Sequence, residues 1–220
     1  MARRGTGCRV IVLGGSKGGC GRSTISRNLL VAARQAGLQA IGLDFDEQRT
    51  FRKWADRRAK QRESVPQIVE AEVVAIKDES WAEIERKLDG FEVAVVDTAP
   101  GVENNMARMV ELCERADFVL VPTSPSTDDL ESVVPWWRSL STTGMRGAFV
   151  LNKANRRTRS FASARSALLK YGTLAPIEIP QLEDIAAPFS AGLTSLDYEK
   201  AKGADVMQDL WRHLRREVGL

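Results

Sequence analysis

Short apolar runs rich in β-branched residues recur along the chain, and each is followed by a stretch whose apolar positions return every three or four residues. The short runs predict strands at 9–13, 40–44, 93–97, 118–121 and 148–151, with two weaker ones at 67–69 and near Ile177. The longer stretches predict helices at 23–35, about 50–62, 80–88, about 105–113, 126–140, 160–170 and about 201–217. Gly37 is placed to stop the first helix, and Pro66 follows the second. The strands are apolar throughout, not alternating, so both of their faces are buried. Strands of this kind separated by helices predict an α/β fold: a doubly wound, mostly parallel sheet flanked by helices in three layers. No internal repeat or low-complexity linker divides the chain, so residues 1–220 read as one domain.

In such sheets ligands bind at the carboxyl ends of the strands. The chemistry-bearing residues stand at those ends. Ser16, Lys17, Gly18, Gly19, Cys20, Gly21, Arg22, Ser23 and Thr24 lie between the first strand and the first helix. Glycines let the backbone curl so that successive amides face an anion, and the helix N-terminus adds its positive end. In this arrangement Arg22 reaches the β- and γ-phosphates, the Ser23 hydroxyl reaches a Mg²⁺ ion, and Thr24 reaches the α-phosphate. The fit to the general phosphate-loop pattern is imperfect: Ser16 stands at the first glycine position and Arg22 at the usual lysine. A plain glycine-rich turn is the bland alternative.

Asp44 and Asp46 close the second strand, two residues apart and on the same side. Asp97 closes the apolar run 93–97, where a carboxylate can hold Mg²⁺ through water. Thr98, Ala99, Pro100 and Gly101 follow it.

Composition narrows the remaining classes. Hydrophobic residues are 43% and charged residues 28%, a globular balance. No apolar run reaches the roughly 18 residues of a membrane span. The N-terminal residues lack the apolar core of a signal peptide. Cys8, Cys20 and Cys113 are scattered and odd in number, which suits reduced thiols in the cytoplasm. With His213 the single histidine, a histidine-based metal site or a Ser-His triad is disfavoured. The formal charge is only +3, but basic residues cluster at 52–62, 153–165 and 212–216.

The stretch from Lys17 to Thr24 resembles the deviant Walker A loop of the ParA/MinD family of partition and positioning ATPases. The resemblance spans most of the chain. It implies a phosphate-loop NTPase fold and a Lys17 that crosses an ATP-sandwiched homodimer to the partner's phosphates. It places Asp44 near the Mg²⁺ shell, Asp46 beside the attacking water, and Asp97 on a Walker B strand. Gly101 becomes an amide donor to the γ-phosphate. Asn152 contacts adenine, with 179–181, Pro180 included, lining the other side of the base. Trp54, Arg57 and Arg58 resemble the first switch of short, plasmid-type members, which lack an N-terminal helix-turn-helix domain. The cofactors implied are ATP or ADP with Mg²⁺.

The same resemblance implies catalysis by Lys17, Arg22 and Asp46, with hydrolysis weakened by Arg22. It also implies non-specific DNA binding through Arg156, Arg157, Arg159, Arg165, Arg212, Arg215 and Arg216. The leading expectation is therefore a cytoplasmic, nucleoid-associated partition ATPase stimulated by a centromere-binding adaptor of ParB or ParG type. Two alternatives stand beside it. One is a MinD-like positioning ATPase for a protein assembly or membrane surface with little turnover. The other is a metabolic phosphate-loop enzyme. Membrane contact is disfavoured, because the stripe Val206, Met207, Leu210, Trp211, Leu214 and Val218 suits packing on the domain.

Overall fold

The structure is a computed structural model; it describes residues 7–99 and 106–220. Six parallel strands form one sheet in the order β3-β2-β4-β1-β5-β6. They are β1 (Arg9–Leu13), β2 (Ala40–Asp44), β3 (Glu72–Ala75), β4 (Val93–Asp97), β5 (Phe118–Thr123) and β6 (Gly147–Leu151). The helices are α1 (Arg22–Gln35), α2 (Thr50–Ser64), α3 (Trp81–Lys87), α4 (Met106–Arg115), α5 (Thr127–Ser141), α6 (Arg159–Leu168), the single turn α7 (Glu183–Ala186) and α8 (Lys202–Val218). Two 3₁₀ turns, 187–191 and 195–197, lie between α7 and α8.

Successive strand residues point to opposite faces, and each face builds its own core. Ile11, Leu13, Val93, Val95 and Leu120 pack with α1, α2 and α8. Val10, Val12, Ala94, Val96, Val119 and Val121 pack with α3 to α6. This double burial explains why the strand sequences carry no polar alternation. The apolar stripe of α8 is consumed by the first core: Met207, Leu210, Trp211, Leu214 and Val218 are all buried there. Trp136 and Trp137 are buried in the second, and the Trp137 indole donates to the Tyr171 carbonyl at 3.0 Å.

Two predicted strands are corrected. Residues 67–69 form a turn, and the strand lies at Glu72–Ala75. This segment after α2 is held by arginines instead: Arg58 donates to the Val69 carbonyl and Arg62 to that of Ile68. No regular strand forms near Ile177; isolated parallel bridges at Leu174 and Pro180 flank it.

The segment Trp54, Arg57, Arg58 is largely built into the core. Trp54 and Arg58 are fully buried, and Arg58 makes a bidentate pair with Asp197, both bonds at 2.8 Å. Arg58 also donates to the Gly192 carbonyl. Together these contacts pin α2 to the turns that precede α8.

Candidate nucleotide site

The carboxyl ends of β1, β2 and β4 come together at one edge. The pairing register sets Asp97 against Leu13 on one side and Asp44 on the other. The Thr98 hydroxyl donates to the Leu13 carbonyl at 2.8 Å and ties the loop after β4 to the start of the glycine-rich loop.

The loop from Gly14 to Gly21 turns on two left-handed glycines, Gly19 (φ 77°) and Gly21 (φ 96°). Any other residue is strained there. Arg22 folds back across the loop, and its guanidinium donates to the carbonyls of Gly15 at 2.9 Å and Lys17 at 2.8 Å. The substituted residue is therefore buried and holds the loop's shape. α1 begins at Arg22 with Gly21 as its cap, no capping side chain and no acid in its first turn. By contrast Ser80, Ser126 and Thr158 accept amide bonds at the starts of α3, α5 and α6. The first amides of α1 thus lack the side-chain acceptor that those helices carry, which suits an incoming anion.

Asp97 is fully buried, and its Oδ1 accepts from the Ser26 hydroxyl at 3.2 Å. Its Oδ2 has no partner among the described residues. Burial pushes its carboxyl up to about 7; the Ser23 hydroxyl works against that rise and the neighbouring Asp44 adds to it. A buried carboxylate oxygen without a donor, beside the Ser23 hydroxyl and a bare helix start, fits a Mg²⁺ ion brought in with phosphates. No group of three or more Cys, His, Asp or Glu among the described residues can hold a metal ion. The remaining ligands must then come from phosphate oxygens and water. Such a cation, when bound, neutralises charge on a phosphoryl group.

Asp44 has a different environment. Its Oδ1 accepts the Asp46 amide at 3.0 Å and its Oδ2 the Arg52 amide at 2.8 Å. Burial raises its pKa while those amides hold it down. Both oxygens are spent on shaping the turn that carries Asp46. Asp46 itself is half-buried, its Oδ1 accepting the Gln48 amide.

Lys17 is exposed, and its Nζ lies 3.5 Å from Asp129. Burial pushes the Asp129 carboxyl up, but the Ser124 hydroxyl and amide, with Lys17, outweigh it and leave the pKa lowered. Ser16 meets Ser132 of the same helix at 2.7 Å. The front of the loop is thus held against α5, whose Trp136 packs so closely on Gly14 that a Cβ there would lie 2.7 Å from the ring.

A cleft of about 900 Å³ opens beside the loop, lined by Gly21, Thr24, Asn152, Lys153, Pro180 and Gln181 among others. Asn152 and Pro180, expected around a base, do line it. The Asn152 amide nevertheless donates to the Cys20 carbonyl at 2.7 Å, a loop contact that the sequence did not announce. Arg156 and Glu178 pair across the rim. Gly101 lies outside the described residues.

The parallel-sheet fold recurs in known proteins. Residues 9–150, well over half of the chain, match the family model described as ATPase MipZ. The chain belongs to the MipZ ATPase family. MipZ ATPases are of ParA/MinD type, so the resemblance read from 17–24 is borne out. The chain is 28% identical over 169 residues to the maintenance of carboxysome distribution protein A of Halothiobacillus neapolitanus, covering 71% of each. MinD of Aquifex aeolicus, from its MinC:MinD complex, superposes with a TM-score of 0.77 at 15% identity, covering 95% of this chain and 96% of that one. An ATP complex of Cyanothece McdA superposes at 0.73 with 14% identity, covering 98% of each. These superpositions extend the MipZ-type fold beyond residue 150 to nearly the whole chain.

Proposed function

We propose that this chain is a positioning ATPase that binds ATP or ADP with Mg²⁺ on residues 15–24 and dimerises in the ATP state. Asp97 and Ser23 face the cation, with Asp44 behind them holding the β2–α2 turn. Asp46 holds the attacking water and Arg22 grips the phosphates. Asn152 and Pro180 border the base. Gly101 follows Asp97 in sequence and supplies a γ-phosphate amide. The observation that carries the dimer reading is the division of labour between two cations. Arg22 occupies the loop's interior, while Lys17 stays exposed at its rim. A charge at the rim, held only by an exposed pair with Asp129, can be released to the phosphates of a second subunit, which makes hydrolysis depend on dimer formation.

The arginines at 156, 157, 159, 165, 212 and 216 are exposed, which supports non-specific DNA as the surface on which the ATP-bound dimer travels. A cargo-bound adaptor of ParB or ParG type would then stimulate hydrolysis and release the dimer at the nucleoid. The carboxysome-distribution relative favours a protein assembly as cargo over a plasmid. The test is duplex DNA binding with ATP, with ADP and without nucleotide, at stated salt. Retention only with ATP, lost steeply as salt rises, is expected. Equal retention in all three states contradicts the DNA reading.

The alternative surface is a membrane. Among the described helices none is long and apolar enough to cross one. The apolar stripe of α8 is also already packed on the core, so sedimentation with anionic vesicles is expected to leave the protein in the supernatant.

A further inference from the structure

We infer that Asn152 and Lys153 are positioning residues that hold the phosphate loop in its anion-binding shape from the side of the base cleft, so that the two subsites are one mechanical unit. This rests on the nucleotide reading above. The two residues follow directly on β6, and they donate to successive carbonyls of the loop: Lys153 Nζ to Gly19 at 3.0 Å and Asn152 Nδ2 to Cys20 at 2.7 Å. In a planar trans peptide the carbonyl and the N–H of the same unit point in opposite directions. Fixing those two carbonyls toward β6 turns the amides of Cys20 and Gly21 away from it, toward the side on which an anion sits.

Three further observations fit a built contact. Asn152 is buried, and its Oδ1 accepts the Lys153 amide, so its amide group is fixed in orientation. Lys153 sits in the left-handed region at φ 53°, one of two non-glycine residues that do so among the described residues. Such a conformation is uncommon for lysine and persists where its surroundings impose it. Finally, Gly21 passes so close to Asn152 that a Cβ there would fall 2.2 Å from Nδ2. The glycine is needed for this approach as well as for its own φ. Asn152 has a second N–H beyond the one given to Cys20, so it can meet a base without releasing the loop.

The test separates the loop from the base by using a ligand with no base. Calorimetry with magnesium tripolyphosphate and with Mg-ATP compares the wild-type protein with Asn152→Ala and Lys153→Ala. Each loop bond is a single hydrogen bond, worth about 1 kcal/mol net, so Asn152→Ala is expected to weaken tripolyphosphate binding about fivefold to tenfold. Lys153→Ala, at an exposed position that leaves the core intact, is expected to weaken it about threefold. Backbone amide order parameters of residues 18–21 in the nucleotide-free protein are expected to fall in both variants. Tripolyphosphate affinity unchanged while ATP affinity drops, or order parameters unchanged, would overturn the inference and leave the nucleotide site standing. Failure of the wild-type protein to take up ATP would sink the nucleotide reading instead, and the order parameters would still decide the loop contact.

Discussion

Asp44 and Asp97 face each other at the ends of adjacent parallel strands, and only Asp44 is satisfied. Two backbone amides fill its oxygens, whereas one oxygen of Asp97 is buried without a donor. The pair divides one acidic site into a turn-builder and a group left waiting for a cation. That division fixes the pH behaviour of the site.

Asp97 in the fold holds its proton up to about pH 7, while an unfolded chain gives it up near 4. Between those values the folded state binds more protons than the unfolded one. The stability contributed by this group therefore falls as pH rises through that window and stays low above it. Asp97→Asn is expected to flatten this dependence and raise the melting temperature of the nucleotide-free protein by a few degrees at about pH 8. The same variant is expected to lose the Mg²⁺ dependence of ATP binding. Thermal scans across pH, with and without magnesium, check both.

Arg22 supports the loop through the carbonyls of Gly15 and Lys17. Arg22→Lys keeps a charge there but loses the guanidinium nitrogen that donates to both carbonyls and the longer reach that places it there. ATP affinity is expected to change by less than about fivefold, and turnover to rise, because a compact ammonium follows the transferred phosphoryl group more readily. Arg22→Ala is expected to weaken ATP binding by at least about tenfold, the scale of one charge-assisted contact. Single-turnover hydrolysis alongside equilibrium binding separates the two effects.

Lys17 is expected to leave nucleotide affinity of the monomer nearly unchanged when replaced by alanine, and to abolish both ATP-dependent dimerisation and turnover. Its exposed pairing with Asp129 is worth about 0–1 kcal/mol, so the fold should not notice its loss. Light scattering with a non-hydrolysable ATP analogue reads the dimer directly.

Arg58 and Asp197 form a buried pair, both below 5% exposed. Breaking it with Arg58→Leu strands a buried carboxylate and is expected to cost about 3–5 kcal/mol, lowering the melting temperature by on the order of 10 °C. The double replacement Arg58→Leu, Asp197→Leu is expected to recover part of that loss, which a double-mutant cycle measures.

Much of this was legible in the chain because central strands and phosphate loops are local features. β1 was bounded by its apolar run, β2 and β4 by theirs and a closing aspartate, and Gly19 and Gly21 announced a turn only glycine makes. β3 escaped because an edge strand of four residues, Glu72–Ala75, carries little apolar signal, and the nearby Ile68 and Val69 drew the assignment instead. The roles of Arg58 and Asn152 escaped for another reason. Their partners, Asp197 and Cys20, lie 139 and 132 residues away, and no periodicity reports a contact at that range. A buried arginine in a basic helix reads as surface until its distant acid is seen.

The most direct measurement is calorimetric titration of the folded protein with Mg-ATP and Mg-ADP, beside Gly21→Val as a variant whose loop cannot form. The account predicts saturable binding of both nucleotides by the wild-type chain, strengthened by Mg²⁺, and at least about tenfold weaker binding by the variant. No heat of binding from well-folded wild-type protein, or equal binding by Gly21→Val, would contradict it.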